Sequence, residues 1–230
     1  MSGREMIVFD MDGVLVDVTE SYRETIRHTV RHFTGQEISY ALIQDYKNAG
    51  GWNNDWLLSQ KIARDIGVDL DYNDVVDYFQ KIFLGDSGDG LIMKERWLGR
   101  PGMLKGLSER YDFSVFTGRE RYEAALTLNR FGTHLTWDPI VAADDVAHGK
   151  PHPEGLYKIA TARPGQPLWY VGDTVDDARC ARAAQVRFIG IAAPSNPRYD
   201  EVVKLLRTEH AVAVFDDINH LENFFAQRKH

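Results

Sequence analysis

Short apolar runs alternate along this chain with longer segments in which apolar residues recur at helical spacing. Met6-Ile7-Val8-Phe9 is followed abruptly by Asp10-Met11-Asp12-Gly13. An apolar run without polar alternation, ended by polar residues, predicts a parallel strand buried on both faces that delivers those residues at its carboxyl edge. Residues 113–116 before Thr117-Gly118, 168–171 before Gly172-Asp173, and 186–191 repeat the pattern, while 139–142 and 211–214 are weaker strands. Helix-length segments lie between them. Residues 119–131 place helical spacing on Tyr122, Leu126 and Leu128 to Phe131, and in alanine-rich 175–185 Cys180 reads as a small core residue. The alternation predicts an α/β fold, a doubly wound parallel sheet of five or six strands that takes its ligand outside their carboxyl ends.

Residues 18–98 break this rhythm, with helical spacing over 22–33, 53–66 and 73–83. They predict an inserted helical domain, leaving 1–17 and 99–230 as the core domain. Gly13 and Gly99-Arg100-Pro101-Gly102 punctuate the two passages, and the glycine-rich 85–90 reads as a mobile loop.

Charge and cysteine content narrow the partners. A formal net charge of −7, with the Lys and Arg scattered, offers no basic field for nucleic acid, so a small molecule is the expected partner. Cys180 is the single cysteine, which rules out an intrachain disulfide or a cysteine metal cluster. No apolar stretch approaches the roughly 18–20 residues that cross a bilayer. A soluble, cytoplasmic protein without a membrane partner, as a monomer or homodimer, is expected.

The polar residues at the strand ends carry the candidate chemistry. Asp10 and Asp12, two positions apart in extended chain, share a face, so one carboxylate can attack a phosphoryl group while the other handles protons. Gly13 lets the backbone turn and present N–H groups. A plain turn or capping pair is the competing reading. Thr117, with Gly118, offers a hydroxyl and backbone N–H groups to an anionic oxygen, or simply caps the next helix. Lys150, stiffened by Pro151 and Pro153, is a cation that can neutralise nucleophile and phosphate, or a solvated surface lysine. Gly172-Asp173-Thr174-Val175-Asp176-Asp177 supplies hard oxygen ligands of the kind Mg²⁺ prefers, or an acidic helix start. His148 and His152 match no metal-ligand pattern and read as structural or exposed. In chain order the four groups supply the separate parts of one phosphoryl-transfer site.

On Asp10-Met11-Asp12-Gly13, Thr117, Lys150-Pro151 and 172–177, the chain resembles the haloacid dehalogenase superfamily over nearly its whole length. The resemblance implies a Rossmann-like core with an inserted α-helical cap, Asp10 as nucleophile and Asp12 as acid/base. It further implies phosphate binding by Thr117 and Lys150, and Mg²⁺ held by Asp10, the Asp12 carbonyl and Asp173. Asp177 would be an outer-shell carboxylate contacting Lys150 or metal-bound water, with Asp176 as a further candidate. Asp12 argues against the hydrolytic dehalogenases, whose pattern lacks that second carboxylate. The insert resembles the small cap of the phosphoglycolate phosphatase and β-phosphoglucomutase-like branch, where substrate choice resides. Trp52, Asn53 and Asn54, within residues 50–56, are the specificity candidates, against a bland reading as a helix start with two core tryptophans. Arg100 would meet a second anionic group or merely a surface carboxylate. The 10–17 and 50–55 stretches also look like a phosphatase-like clade linked to histidine biosynthesis, which points to histidinol phosphate. The expected function is thus a Mg²⁺-dependent phosphatase acting on a small phosphorylated metabolite. A phosphomutase and a non-catalytic binding module on the same fold are the alternatives.

Overall fold

The computed structural model describes residues 4–228 and divides into two compact units, one of Asp17–Arg96 and one of the residues on either side of it. Strand β1 (Met6–Phe9) opens the larger unit, and β2 (Val16–Asp17) leads out of it. The smaller unit holds helices α1 (Tyr22–Thr34), α2 (Tyr40–Ala49), α3 (Asp55–Asp65) and α4 (Tyr72–Leu84), then a 3₁₀ turn at Leu91–Lys94. Strand β3 (Arg96–Trp97) pairs with β2 where the chain passes back.

The larger unit then runs α5 (Met103–Ser108), β4 (Asp112–Phe116), α6 (Arg121–Phe131), β5 (Ile140–Val141), α7 (Glu154–Ala162) and β6 (Leu168–Gly172). It ends with α8 (Val175–Ala183), β7 (Arg187–Ile191), α9 (Tyr199–Thr208), β8 (Ala213–Phe215) and α10 (His220–Ala226). The sheet is parallel with order β5-β4-β1-β6-β7-β8, the doubly wound α/β architecture expected from the alternation. Both faces of β1 are covered, which explains its unbroken apolar run. Ile7 and Phe9 enter one core with Trp169 and Val171, and Met6 and Val8 enter another with Leu168 and Tyr170.

In the helical unit Tyr22, Ile26, Val75, Phe79 and Phe83 are buried, and the Tyr22 and Phe83 rings lie 4.0 Å apart. Ser39, Asn54 and Asp71 cap α2, α3 and α4 through side-chain oxygens. Helix α2 falls outside the expected helical ranges because its sequence lacks an apolar stripe: its buried residues are Ile43, Gln44 and Asn48.

One expected face is corrected. Tyr122 and Leu126 on α6 are 62% and 38% exposed, and the buried stripe is Glu123, Ala124, Thr127 and Leu128. The polar members turn inward because the core holds partners for them: Thr127 Oγ1 accepts from the buried Arg119 guanidinium, and Glu123 closes the helix's capping box with Glu120.

Candidate active site

The central strand of the sheet sets the geometry. Phe9 lies level with Val115 of β4 and Val171 of β6, so the residues that follow each strand emerge at one edge of the sheet. There Asp10 N–H donates to Val171 O at 2.8 Å, and the Asp10 side chain is almost completely buried. Because β4 and β6 flank β1 and are reached by crossovers on opposite sides, this edge is where an open α/β sheet forms its ligand crevice. The chain turns there through Gly13 at φ 70°, with Gly13 N–H donating to Val16 O at 2.9 Å. A Cβ at Gly13 would collide with the Asp173 carboxylate, so glycine is what lets the two strand ends close together.

Lys150 is buried rather than solvated. Its ammonium lies 2.8 Å from Asp10 Oδ1 and 2.7 Å from Asp177 Oδ1, with the Phe116 and Tyr170 rings 5.3 and 5.8 Å away. Asp177 is fully buried, and both its oxygens are engaged. Oδ1 also accepts from Tyr170 O–H at 2.6 Å; Oδ2 accepts from Thr174 N–H at 3.0 Å and Thr174 O–H at 2.6 Å. Thr174 and Asp177 thereby form the capping box of α8, so the acidic-helix-start reading of this segment holds together with its place in the cluster.

These contacts set the charge balance. Burial raises Asp10 to about 7, against the pull of Lys150. Burial acts on Asp177 in the same direction, but Lys150, Thr174 and Tyr170 outweigh it and hold that carboxyl below its usual range. Lys150 is pushed upward by the two carboxylates despite its burial. One ammonium is thus shared between two buried carboxylates. Oxygens of Asp10, Asp173 and Asp177 lie within 4.8 Å of one another, a hard-donor group short of positive charge, which fits Mg²⁺. With Asp177 already engaged, Asp10 and Asp173 are the carboxylates left to hold it.

Asp12 is half-buried and faces Arg119, whose Nε and Nη2 lie 2.7 and 2.6 Å from Asp12 Oδ1. Thr117 is buried at the end of β4. It is not a helix cap, since α6 begins at Arg121 behind Glu120; its hydroxyl oxygen instead accepts from Arg119 N–H at 3.2 Å. The helix N-terminus expected beside Thr117 therefore lies farther along the chain, and Gly118 is exposed in the intervening turn.

The remaining candidates separate from this group. Asp176 is buried in the first turn of α8, outside the three clustered carboxylates. Arg100 pairs with exposed Glu222 at 3.2 Å, the surface-carboxylate alternative. In the helical unit Asn54 accepts from Trp56 and Leu57 N–H and so caps α3, while Trp52 packs edge-on against Tyr46, 6.2 Å between centroids. The helix-start reading accounts for Asn54; Asn53 is half-buried beside it. His148 and His152 are both exposed, as one of the two expected readings had it, although their rings gather with Glu154. Glu154 there accepts from Ala147 and His148 N–H at 2.9 and 3.0 Å, which ties the loop carrying Lys150. Two contributors were not anticipated. Tyr170 is hidden inside an apolar strand, and Arg119, two positions after Thr117, has no partner visible in the sequence.

The family comparison agrees with this arrangement. Residues 7–191 match the model of the haloacid dehalogenase-like hydrolases, and the chain belongs to that family. It is 31% identical over 201 residues to an imidazoleglycerol-phosphate dehydratase of Phytophthora nicotianae, covering 83% of this chain but only 44% of that protein. It is 26% identical over 186 residues to a phosphoglycolate phosphatase of Cereibacter sphaeroides, covering 79% of this chain and 82% of that one. The solved structure of a putative β-phosphoglucomutase from Thermotoga maritima superposes with a TM-score of 0.68 at 19% identity, over 98% of this chain and all of the other; this likeness concerns the fold. Among the described residues no helix is long and apolar enough to cross a membrane.

Proposed function

We propose that the chain is a Mg²⁺-dependent phosphatase that hydrolyses a small phosphate monoester through a phosphoryl group carried on Asp10. The observation behind this reading is the asymmetry of Asp10: Oδ1 is held by Lys150, whereas Oδ2 has no hydrogen-bond partner among the described residues. A buried carboxylate with one oxygen fixed and the other open is arranged to attack.

In the first step an Asp10 oxygen bonds to phosphorus, the bond from phosphorus to the ester oxygen breaks, and Asp12 gives its proton to that oxygen. In the second, water bonds to phosphorus, the Asp10 oxygen leaves as carboxylate, and the water proton passes to Asp12. Lys150 neutralises charge on Asp10 and the phosphoryl oxygens, Thr117 donates its hydroxyl proton to one of them, and Asp177 with Tyr170 keeps the ammonium in place. When bound by Asp10, Asp173 and the Asp12 carbonyl, Mg²⁺ would neutralise the anionic oxygens of the substrate. We infer a cytoplasmic enzyme acting on a dissolved metabolite.

Histidinol phosphate is the substrate we infer. The similarity to a protein named for an imidazole-bearing phosphate ester, over 83% of this chain, supports that choice. Phosphate release from p-nitrophenyl phosphate and from histidinol phosphate, each with and without Mg²⁺, tests both levels. Metal-dependent release from both supports the full reading, and release from the aryl ester alone removes the substrate. An isomerised sugar phosphate without net release would turn the reading to a mutase.

A further inference from the structure

Arg119 is a cation with no assigned part in the chemistry above, yet its side chain is wholly buried. It is held from several sides. Nη1 donates to Thr127 Oγ1 on α6 at 2.7 Å, the backbone N–H reaches Thr117 Oγ1 at 3.2 Å, and the backbone carbonyl accepts from Ala143 N–H at 2.8 Å. The remaining edge of the guanidinium points at Asp12, and both of its nitrogens converge on one oxygen, Oδ1. Asp12 Oδ2 has no hydrogen-bond partner among the described residues, and the Asp12 side chain keeps 32% exposure.

We propose that Arg119 is a positioning residue that clamps Asp12 by Oδ1, leaving Oδ2 as the oxygen that gives and takes the proton. The inference rests on the phosphatase reading and deepens it to a single atom. A carboxyl next to a glycine, at a turn, has several rotamers open to it, and proton transfer needs one of them held within hydrogen-bond reach of the leaving oxygen. A guanidinium fixed in the core by a third nitrogen provides a planar fork for that purpose. A lysine would supply only a point charge on a flexible stem. The pairing also ties the turn that follows Thr117 to the acid/base carboxylate, so the phosphate-binding turn and the proton carrier move as one piece.

The test uses kcat/KM, which covers the steps through departure of the leaving group and excludes hydrolysis of the phosphorylated enzyme. Phenyl phosphate needs its leaving oxygen protonated; p-nitrophenyl phosphate needs this far less. In Arg119→Met, with Mg²⁺ present, kcat/KM for phenyl phosphate should fall about 100-fold, the scale of a general-acid contribution, and for p-nitrophenyl phosphate by less than about tenfold. Arg119→Lys, which keeps the charge and loses the fork, should show the same ordering and carries the test if the Met variant fails to fold. Introduced into Asp12→Asn, either change should add little, because its effect runs through that carboxylate. Equal losses on both esters, no loss on either, or a full loss persisting in Asp12→Asn would overturn the inference. No release by the unaltered protein from either ester would overturn the phosphatase reading, and the inference with it.

Discussion

The carboxyl edge of the sheet and the 50–56 stretch of the helical unit are both rich in polar and aromatic residues, but they use them differently. In the helical unit the partners are local. Asn54 closes the first turn of its own helix, and Lys47 and Asp55, eight positions apart, pair at 2.5 Å. At the sheet edge the partners are remote: Arg119 meets Asp12 across 107 positions, and Lys150 bridges Asp10 and Asp177. Local pairing satisfies the backbone and fixes a helix end. Remote pairing of buried charges costs desolvation and holds groups that have no local reason to meet. The contrast teaches that polar residues without a local partner, placed where buried strands end, are the ones to read as chemistry.

The contrast can be broken by substitution, and the largest effect belongs to the sheet edge. Asp10→Asn should reduce phosphate release by at least about 10⁴-fold with little change in the far-ultraviolet circular dichroism, since removing a nucleophile abolishes a step rather than weakening it. Next comes Lys150→Met. It leaves Asp10 and Asp177 buried without their shared cation, so we expect a stability loss of about 3–5 kcal/mol at neutral pH in urea unfolding. An unchanged midpoint would mean the two carboxylates are neutral in the folded protein.

On the helical side Asn54→Ala should cost about 1 kcal/mol of stability, as N-cap losses do, while phosphate release from an aryl ester stays within about twofold. A large activity loss there would return Asn54 to the specificity candidates. The smallest effect is a pH dependence. Burial raises Glu24, but hydrogen bonds from Tyr40 and Arg27 outweigh it and hold the carboxyl below the ordinary glutamate value of 4.5. A lowered folded-state value contributes stability above pH 4.5 that fades as pH falls through the folded value. Glu24→Gln should therefore be less stable than the native chain at pH 7, by under about 1 kcal/mol because the pair is only partly buried and stays in reach of solvent, and the gap should close in acid.

These comparisons also explain which parts the sequence revealed. The strands at 6–9, 113–116 and 168–171 were legible because each is an apolar run stopped by a carboxylate or hydroxyl, and a strand buried on both faces needs that composition. Asp10, Lys150 and Asp177 were legible as parts of a recurring order of motifs. Tyr170 was not, since within Leu168-Trp169-Tyr170-Val171 its ring serves the core and its hydroxyl partner becomes visible only once α8 folds back. Arg119 was passed over for the same reason: no rule of spacing links it to Asp12. The outward turn of Tyr122 and Leu126 follows from it, because the network around Arg119 claims the inner face of α6 for Thr127. Helix α2 was missed because its buried face is partly polar, with Gln44 Nε2 donating to Asn48 Oδ1 at 2.8 Å instead of an apolar stripe.

The central claim is that the phosphoryl group passes through Asp10. The direct measurement is an acid quench of Asp12→Asn, in which hydrolysis of the phosphorylated enzyme is slowed, after brief mixing with a substrate carrying labelled phosphate, followed by peptide mapping. The account predicts label on the peptide containing Met6 to Gly13, localised to Asp10 and absent from the Asp10→Asn variant. Phosphate release by the native protein with no label on that peptide, or label retained when Asp10 is replaced, would contradict it.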